Sequence, residues 1–388
     1  MKRFLKILKR IFQFLLILII LFVIGLYLFD YDYVIRGARI VYATGHNSAF
    51  IDDYTYFEND TIQMGNNPQP WPMHKNYNTI EATDRLKGTN KALGTVAFVI
   101  IKNDSIWFED YNDDFGISSI SNSFSMAKSV TSAMMGKAIL DGYIKSLDQP
   151  VGDFFPQYAE GLAAKMTVGD LSSMASGLDW VEHYTSPFSV TARAYYDDDL
   201  AETILNQKVV LEPGQRVRYK SGSTQLLGMV IEKATGKKMA EYLSESFWKP
   251  MGMEKDGLWQ VDDEDNRLAK TYCCIGSNAR DFARFGKLYK DFGQWNGKQL
   301  LDSAFVAKSI KPRFEEDDDY GYGFWLLKHQ GKDVFYMRGI LGQYVMVVPD
   351  DNVIVVRLGH QRARVNIKGE RIQDTDLYLQ EAYKMMGL

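Results

Sequence analysis

The segment that decides the fold begins with Ser125-Met126-Ala127-Lys128 and continues as a mostly apolar run to Leu140. Three residues along a helix bring two side chains to neighbouring positions on one face. Lys128 can therefore lie beside the hydroxyl group of Ser125 and take its proton, which makes Ser125 a candidate nucleophile. Such a pair needs no histidine, and the first turn of a helix favours the alkoxide that would develop on the serine oxygen.

A second motif, Tyr219-Lys220-Ser221, follows a turn at Pro213-Gly214. A phenol can exchange protons with a reacting group, so Tyr219 is a candidate general base. In a chain with 23 tyrosines the motif alone is common, and the plain alternative for Tyr219 is a core aromatic residue with a satisfied hydroxyl group.

Composition limits the kinds of partner. The chain has 388 residues, of which 46% are hydrophobic and 24% charged, enough to bury a large core. Its formal net charge is −4, and the part after the amino-terminal segment contains no run of Lys or Arg. A nucleic-acid partner is therefore not expected, since a phosphate backbone requires a broad basic surface.

Residues that often bind metals are poorly spaced for that purpose. Cys273 and Cys274 are adjacent and cannot supply the spaced pairs of a zinc site; we expect two small packing residues, with a vicinal disulfide as the alternative. The five histidines are scattered, and the acidic run at 315–319 does not match a calcium loop. We expect neither a metal nor another cofactor.

The amino terminus predicts a membrane anchor. Basic residues within the first ten positions precede an uncharged stretch from Ile11 to Phe29, and these nineteen residues are about enough to cross a bilayer as a helix. The basic flank should stay in the cytoplasm, which places the chain after Asp30 outside it, in the periplasm or at the cell surface. A cleaved signal peptide is the alternative; the anchor is favoured because the apolar stretch is long and no small-x-small cleavage site follows it.

Three regions are predicted along the chain: a cytoplasmic tip and anchor at 1–29, a stalk and wrapping segment at 30–87, and a hydrolase domain at 88–388. Strand patterns lie early and late in this domain, and a helical insertion at roughly 126–255 separates them. The predicted strands are residues 94–101, 105–111, 322–327, 333–338, 343–348 and 353–358, and a closing helix is predicted at 374–388. This order predicts an α+β fold whose antiparallel sheet is built from both ends of the domain.

Several phrases in register resemble the serine β-lactamase-related hydrolases, especially class C β-lactamases, esterases and 6-aminohexanoate-dimer hydrolases. They are residues 123–132, 166–180, 213–222, 226–236, 250–253 and 279–286. The resemblance covers roughly residues 93–358 and implies the β-lactamase/transpeptidase-like fold, an antiparallel sheet flanked by helices with a helical subdomain. In this chain one amino-terminal transmembrane helix would precede the domain with that fold.

The resemblance also implies an acyl-enzyme mechanism. Ser125 would be the nucleophile, Lys128 would help to deprotonate it, and the phenol of Tyr219 would act as base and then as acid toward the leaving group. The oxyanion hole would consist of the backbone N–H groups of Ser125 and Ile340.

The third motif departs from the family pattern. The family's Lys-Thr-Gly falls at Met337-Arg338-Gly339, and methionine cannot hold a substrate carboxylate. Arg338 could, but neighbouring side chains on a strand point to opposite faces. Ser221 stands where class C enzymes carry asparagine. We therefore do not expect efficient hydrolysis of penicillins or cephalosporins.

Two aromatic residues, Trp180 and Tyr184, follow the Ser176-Gly177 turn and are candidates to line the substrate pocket together with Ser221, Arg338 and Gly339. For Trp180 a packing role is at least as well supported by its size.

The sequence thus predicts a membrane-anchored serine hydrolase that cleaves an ester or a small amide outside the cytoplasm, with a cell-wall fragment as one candidate substrate. The alternatives are a D,D-peptidase or D-aminopeptidase, a true β-lactamase, and an inactive or slowly deacylating sensor or scaffold.

Overall fold

The computed structural model describes residues 2–46, 48–363 and 374–388. The strands are β1 Asn59–Ile62, β2 Thr95–Lys102, β3 Ser105–Tyr111, β4 Ser121–Asn122, β5 Gly257–Gln260, β6 Ile275–Ser277, β7 Gln294–Trp295, β8 Lys298–Gln299, β9 Trp325–His329, β10 Lys332–Gly339, β11 Gln343–Val348 and β12 Val353–Gly359. The helices are α1 Lys2–Leu28, α2 Tyr33–Ala43, α3 Asp84–Ala92, α4 Ala127–Leu140, α5 Val168–Ser172, α6 Val190–Tyr196, α7 Leu200–Leu205, α8 Ser221–Thr235, α9 Met239–Leu243, α10 Ala279–Lys290, α11 Ser303–Ser309 and α12 Asp374–Met386.

The main sheet has six antiparallel strands in the order β3-β2-β12-β11-β10-β9. Its early and late strands meet where β2 pairs with β12, from Val353 opposite Lys102 to Gly359 opposite Thr95. The α+β fold predicted from the sequence, with a sheet built from both ends of the domain, is confirmed.

Both predicted hairpins form. Asn103 and Asp104 join β2 to β3 with φ angles of 50° and 58°, a conformation that Asn and Asp tolerate better than most residues. A 3-10 turn at Pro349–Asp351 joins β11 to β12. The strand predicted at 322–327 was placed too early, because it begins at Trp325, after Gly323 adopts a φ of +84°.

Helices cover both faces of this sheet. Buried side chains of α4, α8 and α10 pack with Phe335, Met337 and Val345 on one face, while Tyr378, Leu379 and Ala382 of α12 pack on the other. Alternation along β10 divides its residues between the two cores. The lysine-bearing helix α4 is buried on nearly all sides, as its apolar sequence predicts.

A smaller antiparallel sheet, in the order β1-β5-β6-β4, lies next to the catalytic motif. Strand β4 ends at Asn122, three residues before Ser125, and pairs with β6. This sheet therefore holds the chain that leads into the motif.

One helix among the described residues, α1, is long and apolar enough to cross a membrane. Its side chains are exposed to the surroundings along nearly the whole length. Length and composition fit the predicted anchor, and a signal sequence would meet the same two criteria.

The segment predicted as stalk and wrapping, residues 30–87, contains more regular structure than its sequence indicates. It contributes α2, a 3-10 turn at Asp53–Tyr56, β1 and the start of α3. Its contacts with the rest of the chain include a hydrogen bond from the indole N–H of Trp71 to the carbonyl of Arg280, 2.9 Å long. The boundaries at residues 29 and 87 stay predictions.

A buried polar cluster ties this segment to the catalytic region. The Asp53 carboxylate accepts hydrogen bonds from the amide of Asn122 (2.9 Å) and the hydroxyl of Tyr195 (2.6 Å). Lys270 donates to the carbonyl of Tyr195 at 2.6 Å, and its ammonium lies 4.4 Å from the ring centroid of Phe57. Burial, followed by the nearby charge of Arg36, lowers the pKa of Lys270 to about 7.

This lowered pKa predicts a pH-dependent stability. Between pH 7 and the ordinary lysine pKa, the unfolded chain binds more protons at Lys270 than the folded chain does. The free energy of unfolding should therefore rise with pH between 7 and 9, by up to about 1.4 kcal/mol per pH unit. Lys270→Met should flatten this rise, measured as the melting temperature of the detergent-solubilised protein against pH.

The exposed Lys298 provides the control. Lys298→Met should keep the wild-type pH dependence, and an unchanged slope in Lys270→Met would show that Lys270 is not its source.

Candidate active site

Ser125 lies in a tight 3-10 turn, Phe124–Met126, immediately before α4. Phe124 adopts a φ of +45°, a strained conformation for a residue with a bulky side chain. The turn is held in place because the N–H of Phe124 donates to the amide oxygen of Asn122 at 2.9 Å. The helix proper begins at Ala127, so Ser125 lies two residues before α4, in the 3-10 turn that leads into it.

Lys128 reaches the Ser125 hydroxyl as its spacing predicts. Its Nζ lies 2.9 Å from the Oγ of Ser125 and 2.7 Å from the carbonyl oxygen of Tyr272. The side chain is buried, and among the described residues no carboxylate forms an ion pair with it. Among the described residues, the Oγ of Ser125, the candidate nucleophile, is therefore the only side-chain oxygen that the structure shows in contact with Lys128.

The carbonyl that holds Lys128 precedes the cysteine pair, and here the prediction of two free packing residues is wrong. Cys273 and Cys274 form a vicinal disulfide, and both are buried. Cys274 adopts a φ of +76°, a left-handed conformation that is uncommon for residues other than glycine. Cys273 lines the same cavity as Ser125.

The aromatic ring of Tyr219 lies near the pair formed by Ser125 and Lys128. The Nζ of Lys128 lies 5.0 Å from the ring centroid of Tyr219. The ring stacks on Trp325, with centroids 5.3 Å apart and an interplanar angle of 29°, and meets Tyr320 edge-on. The sequence did not single out these two rings, which pack against Tyr219 and help to fix its position.

Both predicted oxyanion donors fall at the start of 3-10 turns. Ser125 is the second residue of its turn, and Ile340 is the first residue of Ile340–Gly342, positions whose N–H groups have no acceptor within the helix. A Cβ atom on Gly339 would stand 2.3 Å from the carbonyl oxygen of Ser123. Only glycine allows the end of β10 to approach the nucleophile turn this closely.

The third motif divides between the two faces of β10, as alternation requires. Met337 is fully buried in the core that also contains α4. The guanidinium of Arg338 lies 5.0 Å from the ring centroid of Trp325, and Arg338 does not line the cavity that holds Ser125.

The other candidate substrate residues have different positions. Ser221 and Tyr184 line the cavity with Ser125, whereas Trp180 does not. Trp180 is buried against α8, where a Cβ on Gly222 would meet its ring at 2.5 Å, so its role is packing. Its indole N–H donates to Glu182 at 2.9 Å.

Glu182 was missed by sequence reasoning. Its carboxylate also accepts hydrogen bonds from the N–H of Ser221 and the hydroxyl of Tyr184. It therefore links the Trp180 loop to the start of α8. Nothing in its sequence context distinguishes it from a surface carboxylate.

Helix α2 was also missed, although its sequence carries a signal. Its residues Tyr33, Val34, Gly37 and Val41 line the cavity of Ser125. Their spacing follows one face of a helix, a period that the sequence analysis did not recognise because the segment is short.

Metal-binding side chains were considered as well. Among the residues that the structure describes, no group of three or more His, Cys, Asp or Glu side chains is arranged to hold a metal ion.

The close approach at Gly339 generates a prediction. Gly339→Ala should displace the nucleophile turn, lower the free energy of unfolding by about 1–3 kcal/mol and reduce labelling of Ser125 by a fluorophosphonate. Gly116→Ala is the matched control, because an added Cβ there meets nothing within 4 Å. Equal labelling rates in the two variants would contradict the proposed contact.

Comparison with known proteins identifies the family. The β-lactamase family profile matches residues 81–376. A 6-aminohexanoate-dimer hydrolase from Paenarthrobacter ureafaciens is 23% identical over 286 residues, covering 68% of this chain and 72% of that protein. Among solved structures, a putative 6-aminohexanoate-dimer hydrolase from Bacillus anthracis has a TM-score of 0.76 at 21% identity, covering 87% of this chain and 94% of that one. A family VIII carboxylesterase has a TM-score of 0.58 at 17% identity, with 78% and 98% covered. The chain therefore belongs to the β-lactamase family, whose members are serine hydrolases.

Proposed function

We propose that the protein is a serine hydrolase that cleaves an ester or a small amide through an acyl-enzyme on Ser125. The observation that carries the proposal is the 2.9 Å contact between Lys128 Nζ and Ser125 Oγ in a buried setting. A separation of this length is a hydrogen bond, along which the serine proton can pass to the amine.

The reaction has two steps. The serine proton moves to Lys128 as the oxygen of Ser125 bonds to the substrate carbonyl carbon, and the N–H groups of Ser125 and Ile340 stabilise the oxyanion. The bond to the leaving oxygen or nitrogen then breaks while the Tyr219 phenol supplies a proton, and the proton held by Lys128 restores the phenol. Water then bonds to the acyl carbon and gives up a proton, the bond to the Ser125 oxygen breaks, and that oxygen takes the proton, which releases the acid and restores the serine hydroxyl.

Ester or simple amide substrates are favoured over β-lactams and D,D-peptides. Met337 occupies the position at which the family's lysine would contact a substrate carboxylate, and it is fully buried. The names of two similar proteins, a 6-aminohexanoate-dimer hydrolase and a carboxylesterase, support amide and ester cleavage respectively.

We also propose that α1 stays attached and anchors the enzyme, with the catalytic part outside the cytoplasm. The long apolar helix and its basic amino-terminal flank support this topology.

The nucleophile is tested on the full chain in detergent with p-nitrophenyl acetate, 6-aminohexanoate dimer and a chromogenic cephalosporin. Ser125→Ala should abolish turnover, a loss of about 10⁴-fold or more, because no other group forms the acyl bond. Lys128→Met and Tyr219→Phe should each lower kcat by about 10²–10⁴-fold.

Lys137→Met is the matched control for Lys128→Met, since Lys137 lies on the same helix and pairs with Asp141. If Ser125→Ala keeps wild-type turnover, the proposed nucleophile is wrong. A stable acyl adduct without turnover would instead support the slowly deacylating sensor.

The anchor is tested separately by amino-terminal sequencing of protein extracted from membranes. The expected product begins at or near Met1. A product that begins after Phe29 would show that the segment is a cleaved signal.

A further inference from the structure

Ser125 opens into a cavity of about 280 Å³. Its catalytic side is formed by Ser125, Tyr184, Ser221, Tyr272 and Ile340, and its other walls come from α2 and α6. A helix that directly follows the predicted anchor thus forms part of the substrate site.

Helix α2 is held in this position by several contacts. Its Gly37 packs against the ring of Tyr196 on α6, so closely that an added Cβ would lie 3.0 Å from the ring. Ile40 packs into a cluster with Phe50 and Phe57. Just before the helix, Asp30 forms an ion pair with Arg193 of α6.

The cavity is chemically neutral. Among the described residues that line it, none has a charged side chain, and the polar side chains are the hydroxyl groups of Ser, Thr and Tyr. Apart from the disulfide-bonded Cys273, the remainder are apolar, including Val34, Ala38, Val41, Phe124 and Ile340. A dimer of 6-aminohexanoate carries an ammonium group and a carboxylate group, and the residues that line the cavity offer an opposite charge to neither of them. An uncharged hydrocarbon chain suits this lining better.

The cavity also lies near the end of the predicted span. Tyr33, which lines it, follows Leu28 of α1 by five residues, and five residues of fully extended chain reach no more than about 18 Å. The ring of Tyr31 between them packs on Phe188, with centroids 5.7 Å apart.

Exposed apolar side chains surround the same region. Tyr42 of α2 and Val181, Tyr184 and Phe188 of the neighbouring loop are all exposed. Aromatic residues of this kind are enriched where proteins meet the membrane interface, a layer about 5 to 8 Å thick on each side of the hydrocarbon core. The opening can therefore face the layer in which amphiphilic molecules lie.

From these observations we propose that the substrate is a membrane-borne ester or amide whose acyl group carries a hydrocarbon chain, and that this chain occupies the cavity between Ser125 and α2. The proposal rests on the proposed hydrolase function and specifies its substrate class. The anchor would hold the enzyme at the membrane surface that contains its substrate.

The test compares p-nitrophenyl acetate, butyrate and octanoate with the full chain in one detergent. In the wild type, kcat/KM should rise with chain length by up to about fourfold per methylene until the cavity is filled. Ala38→Trp, which places a large side chain in the wall, should lower the ratio of octanoate to acetate turnover at least tenfold.

Ala43→Trp is the matched control, because Ala43 is an exposed residue of the same helix that does not line the cavity. Ala43→Trp should keep the wild-type ratio of octanoate to acetate turnover. Because both variants are assayed in the same detergent, comparing them also removes the effect of substrate partition into micelles. A wild-type preference for acetate, or equal ratios in the two tryptophan variants, would overturn the proposal while leaving the hydrolase function intact.

A binding measurement separates the two proposals further. Ser125→Ala should bind a fluorescent methyl dodecanoate, which is uncharged at its ester end, and the added Ala38→Trp substitution should weaken this binding about tenfold. If the wild-type protein turned over none of the esters while Ser125→Ala still bound the probe, the hydrolase proposal alone would be refuted. Absence of binding would refute the hydrocarbon site.

Discussion

The approach of Gly339 to the turn that carries Ser125 is the constraint on which the catalytic region depends. The last residue of β10 lies against the carbonyl of Ser123, at a distance that leaves no room for a side chain. This contact brings the N–H of Ile340, at the end of one sheet strand, next to a turn that belongs to the helical part of the chain. An oxyanion hole made from two distant segments requires that both backbones be fixed.

Other buried contacts fix the second of these backbones. The amide oxygen of Asn122 accepts a hydrogen bond from the N–H of Phe124, and its amide nitrogen donates one to Asp53. The strained turn is therefore linked to a residue that lies 42 positions before the first strand of the main sheet. Lys128 is fixed in turn by the carbonyl of Tyr272, next to the vicinal disulfide. The geometry around Ser125 is therefore determined by three stretches of chain that are far from it in sequence: Asp53 contributes a carboxylate, and Tyr272 and Gly339 contribute backbone groups.

The sequence predicted the sheet well because strand and turn patterns are local. Continuous runs of apolar residues defined the strands from Asp333 onward, and Asn103-Asp104 marked a hairpin through their own backbone preferences. Lys128 beside Ser125 also follows from helical spacing alone. By contrast, the stacking of Trp325 on Tyr219 and the bridging carboxylate of Glu182 join residues that lie far apart or in irregular loops, and no period records such contacts. The disulfide between Cys273 and Cys274 accompanies a positive φ at Cys274, which the residue type does not indicate.

The burial of Met337 limits how the substrate specificity of this protein could evolve. It faces Val345 across β10 and β11 and is fully buried among apolar side chains. A lysine gained here by one mutation would place an ammonium group in that core, at a cost of several kcal/mol unless a partner appeared with it. A path toward recognition of carboxylate-bearing substrates would therefore need at least two coordinated changes, with an unstable intermediate between them. A lysine at this position would therefore meet a stability barrier, although Lys128 and the proposed nucleophile Ser125 already lie within hydrogen-bonding distance of each other.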